Sequence, residues 1–431
     1  MLDIAAMRPA VHRLAMDGTL VQSYVIPKVL EGEVLWENVN GIRVGPQGQV
    51  YIEHGLETLQ LTARTGRRLA NPRNMVGFQD SSGRRYEVRL ADWAVDPHTG
   101  EVLVYSLAGS NPKQIKVWVA HTLGGLRYLE SYDGGFFVVV EEIFYDGTIH
   151  VDQTVRNYDD NGNLLGIARI PLSEFYVPVE NGIAVGPDGN VYALVPKRER
   201  VEIQRLTFRR ALEPIFPDKE PVIMPMSASN DMENPISTLN CRSRSTMMAV
   251  CSDYHNNYRW LSVTNTVGAC IYRAKPRYIG GEGYYSSIPY DAGGWDTVSN
   301  FNARMVAGDQ AGDISWDEDP NTPGNQNCCA ECSRGVDCSG FVTRVWGETQ
   351  KLYTWTIPDY STQLGSLNDL LIGDVLNKPG IHVAVFVSAC SGGATVYHST
   401  TYSGYDRVIT TCHEWSYFNG YSPRRYNKTC P

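Results

Sequence analysis

Several features that mark other classes of protein are missing from this sequence. No apolar run approaches the roughly 18 residues of a membrane-spanning helix. The first residues, MLDIAAMRPAVHRLAMDG, lack the continuous apolar segment of a signal peptide. No long run of Lys and Arg occurs, and the formal net charge is −9. A nucleic acid, a membrane span or an anionic membrane surface is therefore not expected among the main partners.

Cysteine is absent from the first half of the chain, since all ten cysteines lie at or beyond Cys241. Such crowding predicts disulfides and an oxidising, extracytoplasmic environment (secreted or cell-envelope), even though no signal peptide is visible. If one of these cysteines is a free nucleophile, an odd number remains. At least one further free thiol, or an intermolecular bridge, is then expected.

The length of 431 residues suggests two or three domains, and internal repeats mark the first of them. NGIRVGPQGQVY (40–51) recurs as NGIAVGPDGNVY (181–192), and VHRLAMDGTLVQSYVIP (11–27) resembles VRNYDDNGNLLGIARIP (155–171). Each unit is a β-rich run, a glycine turn and a second β-rich run, which is the pattern of a hairpin. The repeats predict an all-β, propeller-like domain over residues 1–210, with about four or five blades.

A β-sandwich with an internal duplication is the alternative for this region. No cluster of acids or histidines in it demands catalysis, so a scaffold or ligand-binding role is expected. Residues 211–279 are predicted to form a connector or a small intermediate region, because residues 211–240 are rich in proline and show little periodicity. Residues 241–290 are interpreted as strands and loops, and the last domain is placed at 280–431.

The segment GVDCSGFVTRVWGE (335–348) raises the question whether Cys338 is structural or a nucleophile. Phe341, Val342, Val345 and Trp346 recur at helical spacing after a tight turn, so Cys338 is expected at the N-terminus of a helix. Free amides and the helix dipole at that end favour an anion, which lowers the pKa of a thiol. A thiolate is the attacking species in cysteine catalysis.

A catalytic thiol also needs an imidazole, and two histidines lie downstream. IHVAVFVS (381–388) and ATVYHST (394–400) are both strands by alternation, separated by a glycine-rich turn. Folding them as a hairpin brings His382 close to His398 on one face of the sheet. In such a relay His382 accepts the thiol proton and His398 orients the ring of His382.

This combination of segments resembles the NlpC-type cysteine peptidases of bacterial cell walls, which have a papain-like fold. The family's motifs are matched by DCSGFV (337–342), GDV (373–375), HVAVF (382–386), His398 and the ending GYSPRRYN (420–427). A Tyr-x-x-Gly-Gly segment of the family corresponds to Tyr290, Gly293 and Gly294, and an acid and a Gln in D-x-x-x-Q spacing correspond to Asp359 and Gln363. The resemblance covers about residues 280–428. The chain departs from the family at Pro358, where an arginine often stands, and in a long insertion with CCAEC ahead of Cys338.

The resemblance implies an α+β, papain-like C-terminal domain that hydrolyses murein peptides at the γ-D-glutamyl-diamino acid bond. Cys338, His382 and His398 are the implied catalytic residues, and Tyr290, Asp337, Ser339 and Asp359 are implied oxyanion or substrate-binding residues. No metal or organic cofactor is required by this chemistry. Peptidoglycan stem peptides are the expected partners, and the protein is expected to act as a monomer.

Other interpretations remain open from the sequence. Cys338 is also a candidate for a disulfide with one of three nearby cysteines, Cys328, Cys329 and Cys332. These three are also candidates for zinc ligands or, more simply, for a disulfide within the insertion. His413 is a competing third member of the relay, and Asp359 is equally well explained as a helix cap. The whole domain is alternatively another thiol amidase or acyltransferase on the same fold, or a degenerate, non-catalytic binding protein.

Overall fold

The computed structural model describes most of the chain from residue 95 onward and short strands before it. The described residues are 2–3, 10–14, 19–26, 29–30, 33–34, 39–44, 50–54, 57–61, 66–68, 78–79, 84–91, 95–105, 112–179, 182–217, 241–263, 274–314, 333–390 and 392–430. The predicted predominance of β-structure in a multidomain chain is confirmed, because antiparallel strands dominate these residues, among which three α-helices occur.

The N-terminal part consists of antiparallel sheets whose strands follow one another in chain order. The strands are β1 Leu2–Asp3, β2 Ala10–Leu14, β3 Leu20–Val25, β4 Val29–Leu30, β5 Glu33–Val34, β6 Val39–Val44, β7 Val50–His54, β8 Glu57–Leu61, β9 Gly66–Arg68, β10 Phe78–Gln79, β11 Arg85–Leu90, β12 Thr99–Tyr105, β13 Lys113–Trp118, β14 Thr122–Tyr132, β15 Gly135–Tyr145, β16 Ile149–Asp159, β17 Leu164–Arg169, β18 Ile183–Val185, β19 Val191–Pro196 and β20 Val201–Arg205, with a 3-10 helix η1 at Leu172–Glu174. Three four-stranded sheets, β6–β9, β10–β13 and β14–β17, recur along the chain. The described strands do not close into a propeller.

The sequence repeats correspond to repeated hairpins. In the first pair of repeats, Val44 pairs with Val50 and Val185 pairs with Val191, which are equivalent positions. In the second pair, β2 pairs with β3 and β16 pairs with β17. The alternation of β-rich runs and glycine turns therefore predicted the local pairing correctly, although the turn residues 15–18 and 45–49 lie outside the described residues.

The C-terminal part combines helices with one large sheet. Its elements are α1 Arg244–Asn256, β21 Tyr258–Leu261, β22 Gly283–Ser286, α2 Val298–Val306, β23 Gln310–Ala311, β24 Ser333–Arg334, α3 Cys338–Trp346, η2 Ile357–Tyr360, β25 Ser361–Gln363, η3 Leu367–Asp369, β26 Val375–Lys378, β27 His382–Cys390, β28 Gly393–Thr400, η4 Tyr402–Gly404, β29 Arg407–Glu414, η5 Trp415–Phe418 and β30 Ser422–Tyr426. The six-stranded antiparallel sheet has the order β25-β30-β26-β27-β28-β29.

The two faces of this sheet pack against different partners. Along β27, Val383 and Val385 face a core that contains the buried faces of α1, α2 and α3. Ala384 and Phe386 face the opposite way, as the period-two geometry of a strand requires, and belong to a second core. The sheet is therefore the middle layer of a three-layer arrangement.

The second core is shared with the N-terminal part of the chain. Ile143 and Tyr145 of β15 and Ile149 and Val151 of β16 pack against the apolar face of the six-stranded sheet. The hydroxyl of Tyr145 donates to the carbonyl oxygen of Leu364 at 2.6 Å. Burial of this much apolar surface binds the two parts into one body and brings β16 beside the segment that follows β29.

Helix α1 differs from the sequence prediction, which assigned strands and loops to this segment. Ser243 caps the helix by accepting from the amide of Thr246. Met247, Cys251 and Tyr254 follow at helical spacing and are buried in the same core as α3. Most apolar residues of α1 form one continuous run, Met247–Cys251, rather than a stripe at helical spacing, which is why the apolar periodicity of the sequence is weak here.

Two disulfides are present among the described residues. Cys241–Cys430 joins the start of the α1 segment to the residues after β30, and Cys390–Cys412 joins β27 to β29 across β28. Cysteine crowding therefore predicted disulfides correctly. Within the described ranges, no helix has both the length and the apolar character needed to cross a lipid bilayer.

Candidate active site

Helix α3 begins at Cys338, as its sequence pattern predicts, and the preceding acid holds that start in place. The Asp337 carboxylate accepts from the amide of Gly340 at 2.6 Å and from the hydroxyl of Ser339 at 3.0 Å. Its other oxygen accepts from the Lys351 ammonium at 2.7 Å, and both side chains of this ion pair are buried. Asp337 is therefore an N-cap with a fixed counter-ion.

The Gly293–Gly294 segment packs directly on the same helix start. A Cβ atom on Gly340 would lie 2.0 Å from the carbonyl oxygen of Gly294, so only glycine allows this approach. The Asp337 amide donates to the Gly294 oxygen at 2.9 Å, and the backbone of Tyr290 forms a parallel bridge with Val336. Tyr290 is itself buried, and its bridge partner Val336 lies two residues before Cys338 in the chain.

The histidines form a chain of three rings rather than a pair. Nε2 of His382 lies 2.8 Å from Nδ1 of His398, and Nε2 of His398 lies 3.2 Å from Nε2 of His413. His413 in turn stacks on Tyr417 with ring centroids 3.9 Å apart. His398 and His413 are fully buried, whereas His382 at the start of β27 keeps some exposure.

The predicted hairpin of β27 and β28 is present, with a different register. Val385 pairs with Tyr397 and Phe386 with Val396, and a bulge follows between Phe386 and Ser388. His398 is therefore diagonal to His382 on the same face, and the two rings meet edge to face.

Cys338 lies against the first residues of β27. The backbone amides of Val383 and Ser339 are directed at its sulfur, and Tyr421 is close enough for the sulfur to influence its phenol electrostatically. A second link fixes the spacing between nucleophile and relay, because the hydroxyl of Ser399 donates to the carbonyl oxygen of Val336 at 2.6 Å. The serine that follows His398 is thus bonded to the chain two residues before Cys338.

The ionisation of the thiol runs opposite to the expectation from the helix dipole. Burial, with the Asp337 carboxylate as a second cause, raises the pKa of Cys338 to about 12, and the Val383 and Ser339 amides and Lys351 only partly oppose this rise. Burial, assisted by the neighbouring His413, lowers the pKa of His382 to about 3. The same causes, burial first, lower the pKa of His398 well below its usual range. At neutral pH these shifts leave the thiol of Cys338 and the imidazoles of His382 and His398 uncharged.

Two of the other predicted site residues, Ser339 and Asp359, have partners within the protein. Ser339 is buried and its hydroxyl is bound to Asp337, so it belongs to the helix cap. Asp359 lies exposed in η2, where its charge faces Arg424. Its neighbour Gln363 donates from Nε2 to the carbonyl oxygen of Gly147 at 2.9 Å, and so contacts the N-terminal part.

Three residues at the site are not among the catalytic or substrate-binding residues that the resemblance implies. Lys351 neutralises Asp337, and Tyr421 neighbours both Cys338 and His382. The sequence offers His413 only as an alternative to His398 for the third member of the relay, whereas in the structure its ring lies within hydrogen-bond distance of His398. A usable signal for His413 is the alternation of β29, in which it pairs with Ala394 and so shares the face of His398.

Free thiols are found at Cys251 and Cys338 among the described residues, and both are buried. Cys251 supplies the further free thiol that the odd count predicts. Cys328, Cys329 and Cys332 of the insertion lie outside the described residues, so the disulfide and zinc interpretations of that segment stay predictions.

Comparison of the whole chain with protein-family models, with curated proteins and with solved structures gives no match.

Proposed function

We propose that the protein is a thiol peptidase that cleaves an amide bond of bacterial cell-wall peptides through Cys338, His382 and His398. The observation that carries this proposal is the position of the Cys338 thiol at the start of α3, against the backbone amide of Val383, which directly follows the first histidine of a hydrogen-bonded histidine chain. A buried nucleophile beside a base, with that base oriented by a third group, is the general arrangement of covalent catalysis.

The hydrogen bonds of the relay define the roles of the ring nitrogens. His382 uses Nε2 toward His398, so Nδ1 is the nitrogen left for the thiol. If His382 donates to Nδ1 of His398 and His398 donates from Nε2 to His413, every ring is neutral and Nδ1 of His382 carries a lone pair. The relay thereby holds the base in the tautomer that accepts a proton.

Because the thiol is neutral at rest, the proton moves as the sulfur attacks. His382 accepts the thiol proton at Nδ1 while the sulfur bonds to the carbonyl carbon of the scissile amide. Collapse of the tetrahedral intermediate breaks the carbon–nitrogen bond, and His382 returns the proton to the leaving amine. A water molecule, deprotonated by His382, then hydrolyses the thioester and restores the thiol.

The oxyanion of the intermediate needs donors beside Cys338. The amide of Cys338 stands in the first turn of α3, where backbone N–H groups lack helical partners. Tyr421 is a phenol near the sulfur, and Tyr290 is the phenol that the family resemblance assigns to this role. Two or three such donors supply the charge stabilisation that acyl transfer requires.

The remaining parts of the proposal follow from the resemblance and are supported by the geometry. The helix-on-sheet arrangement of α3 with β26–β30 suits a papain-like domain, and the four-stranded N-terminal sheets suit propeller-like blades. The expected bond is γ-D-glutamyl-diamino acid in peptidoglycan stem peptides. Two disulfides suit an extracytoplasmic location.

Digestion of purified peptidoglycan by the wild type and by Cys338→Ala, with mass spectrometry of the released fragments, tests the proposal. New fragments with the wild type alone support it. Equal fragments from both proteins, or none from either, overturn it. Turnover of simple esters without turnover of murein peptides would instead indicate another thiol hydrolase.

A further inference from the structure

A cavity of about 150 Å³ opens between the two parts of the chain, beside the histidine relay. Its N-terminal wall follows η1, and its other wall comes from the residues around β26, β27 and η5. The side chains that line it include Phe175, Tyr176, Lys378, Tyr417 and Tyr421. The volume is below that of a pocket for a whole drug-sized ligand and suits a single residue of a bound peptide.

The cavity reaches the reacting groups through two residues. Tyr421 lines it and also neighbours Cys338 and His382. Lys378 lines it and is the direct cross-strand partner of His382 in the pairing of β26 with β27. A peptide whose scissile amide lies at Cys338 therefore has a neighbouring residue within reach of this space.

Lys378 is the charged group of the cavity. Its ammonium donates to the carbonyl oxygen of Asn419 at 2.9 Å and lies 5.7 Å from the ring centroid of Tyr421. In the described part of the chain, no carboxylate lies within ion-pair distance of this ammonium. Burial lowers its pKa, with no anion to oppose that shift. Two of its three N–H groups remain for a ligand.

The floor of the cavity is built to hold this ammonium. Gly420 adopts φ +84, and a Cβ there would lie 3.0 Å from Nζ of Lys378. The amide of Gly420 donates to the carbonyl oxygen of Ile149, and the side chain of Asn419 accepts from the amide of Val151 at 3.1 Å. Strand β16 thus fixes the segment that binds Lys378.

We propose that this cavity is a substrate subsite in which Lys378 binds a carboxylate on the residue next to the scissile amide, with the aromatic walls enclosing its aliphatic part. The inference rests on the proposed peptidase function and assigns the residue that recognises the substrate beside the scissile amide. A γ-linked glutamate fits this class because its α-carboxylate is outside the peptide linkage. An ion pair of this kind is charge-assisted and discriminates against a neutral isostere by about tenfold to a hundredfold.

The test compares L-Ala-γ-D-Glu-L-Lys with the same peptide in which a carboxamide replaces the α-carboxylate of the D-glutamate. Both peptides are given to the full-length wild type and to Lys378→Gln. Glutamine still donates to the Asn419 carbonyl but has no charge, so it separates the ion pair from a structural hydrogen bond. Lys378→Arg keeps the charge and is the rescue variant. Lys113→Met is the matched control, because the Lys113 ammonium also donates to a backbone carbonyl but on an exposed surface.

The wild type, Lys378→Arg and Lys113→Met are expected to prefer the carboxylate peptide at least tenfold in kcat/KM, through a lower KM. Lys378→Gln is expected to cleave both peptides alike. Equal cleavage by the wild type, or a preference that survives in Lys378→Gln, overturns the subsite. If the wild type cleaves neither peptide, the peptidase proposal fails separately. Calorimetric binding of both peptides to Cys338→Ala, with and without Lys378→Gln, then decides the subsite in the same way.

Discussion

The hydroxyl of Ser399 is bonded to the carbonyl oxygen of Val336, 63 residues earlier in the chain, and both partners are fully buried. This bond connects the strand of His398 to the two residues that precede Cys338. The spacing between nucleophile and relay is therefore set by a side chain that takes no part in proton transfer.

Replacing Ser399 with alanine removes that bond and leaves the Val336 oxygen buried without its donor. The expected loss of folding free energy is about 1–3 kcal/mol. We also expect kcat to fall about tenfold to a hundredfold, because small displacements of reacting groups are costly. The control is Ser361→Ala, which removes another buried hydroxyl that donates to a backbone carbonyl, that of Ile357, and also accepts from Arg424. If both variants lose activity in proportion to stability, the positioning role is wrong.

The pH dependence of cleavage follows from the lowered pKa of His382. A base must be neutral to accept the thiol proton, and His382 stays neutral below its ordinary pKa of 6.5 until the pH approaches about 3. The acidic limb of kcat/KM is therefore expected well below pH 6.5, and activity at pH 5 is expected to remain near its maximum. Initial rates between pH 4.5 and 7.5, with circular dichroism at each pH, measure this. A midpoint at 6.5 would contradict it.

His413→Phe tests the third ring of the relay. Phenylalanine keeps the stack on Tyr417 but removes the hydrogen bond to His398, which is worth about 0.5–1.5 kcal/mol. We expect kcat to fall about threefold to tenfold with KM unchanged. Since His413 helps to lower the pKa of His382, the acidic limb should also move to higher pH. The exposed His150 provides the control variant His150→Phe. An unchanged pH profile would leave His413 with a packing role only.

Gly340→Ala sets helix propensity against sterics. Alanine favours a helix over glycine by about 1 kcal/mol, but the new Cβ would lie 2.0 Å from the Gly294 oxygen. Backbone on both sides prevents relief, so we expect a net loss above about 3 kcal/mol, or no soluble protein. Gly281→Ala is the control, because nothing lies within 4 Å of its added Cβ. Urea denaturation of both variants measures the difference, and a stable Gly340→Ala would contradict the packing of these segments.

Glu141, in the contact between the two parts, should make stability depend on pH. Burial, with Glu414 as a second cause, raises its pKa from 4.5 to about 8. The unfolded chain releases this proton near pH 4.5 and the folded protein keeps it up to about pH 8. The free energy of unfolding therefore falls as the pH rises from 4.5 to 8, by up to about 1.4 kcal/mol per pH unit. Glutamine at position 141 can still accept from Gln153 and from the Ser416 amide, and it cannot ionise in the buried site.

Glu141→Gln is therefore expected to melt several degrees above the wild type at pH 8 and close to it at pH 5. Glu199→Gln, at a side chain 84% exposed, should show no such dependence on pH. Parallel melting curves for the wild type and Glu141→Gln across this range would rule out the buried acid as the cause.

Short-range patterns in the sequence predicted much of the local structure. The helix that starts at Cys338, the hairpin of His382 and His398 and the repeated N-terminal hairpins all depend on neighbours within about twenty residues, so periodicity and turn residues reveal them. The bond between Tyr145 and Leu364 spans 219 positions, and no local pattern marks it. The bond of Ser399 to Val336 spans 63 positions and is likewise brought about by packing alone.

The pairing of Cys241 with Cys430 has a consequence for proteolysis. It closes a ring of chain that contains the nucleophile, all three histidines and the other disulfide. A single cut anywhere between the two cysteines leaves both fragments covalently joined, with Cys338 still tethered to His382. Limited digestion should therefore give one band on a gel without reducing agent and two bands with it, and the nicked protein should keep its fold for as long as the ring stays oxidised.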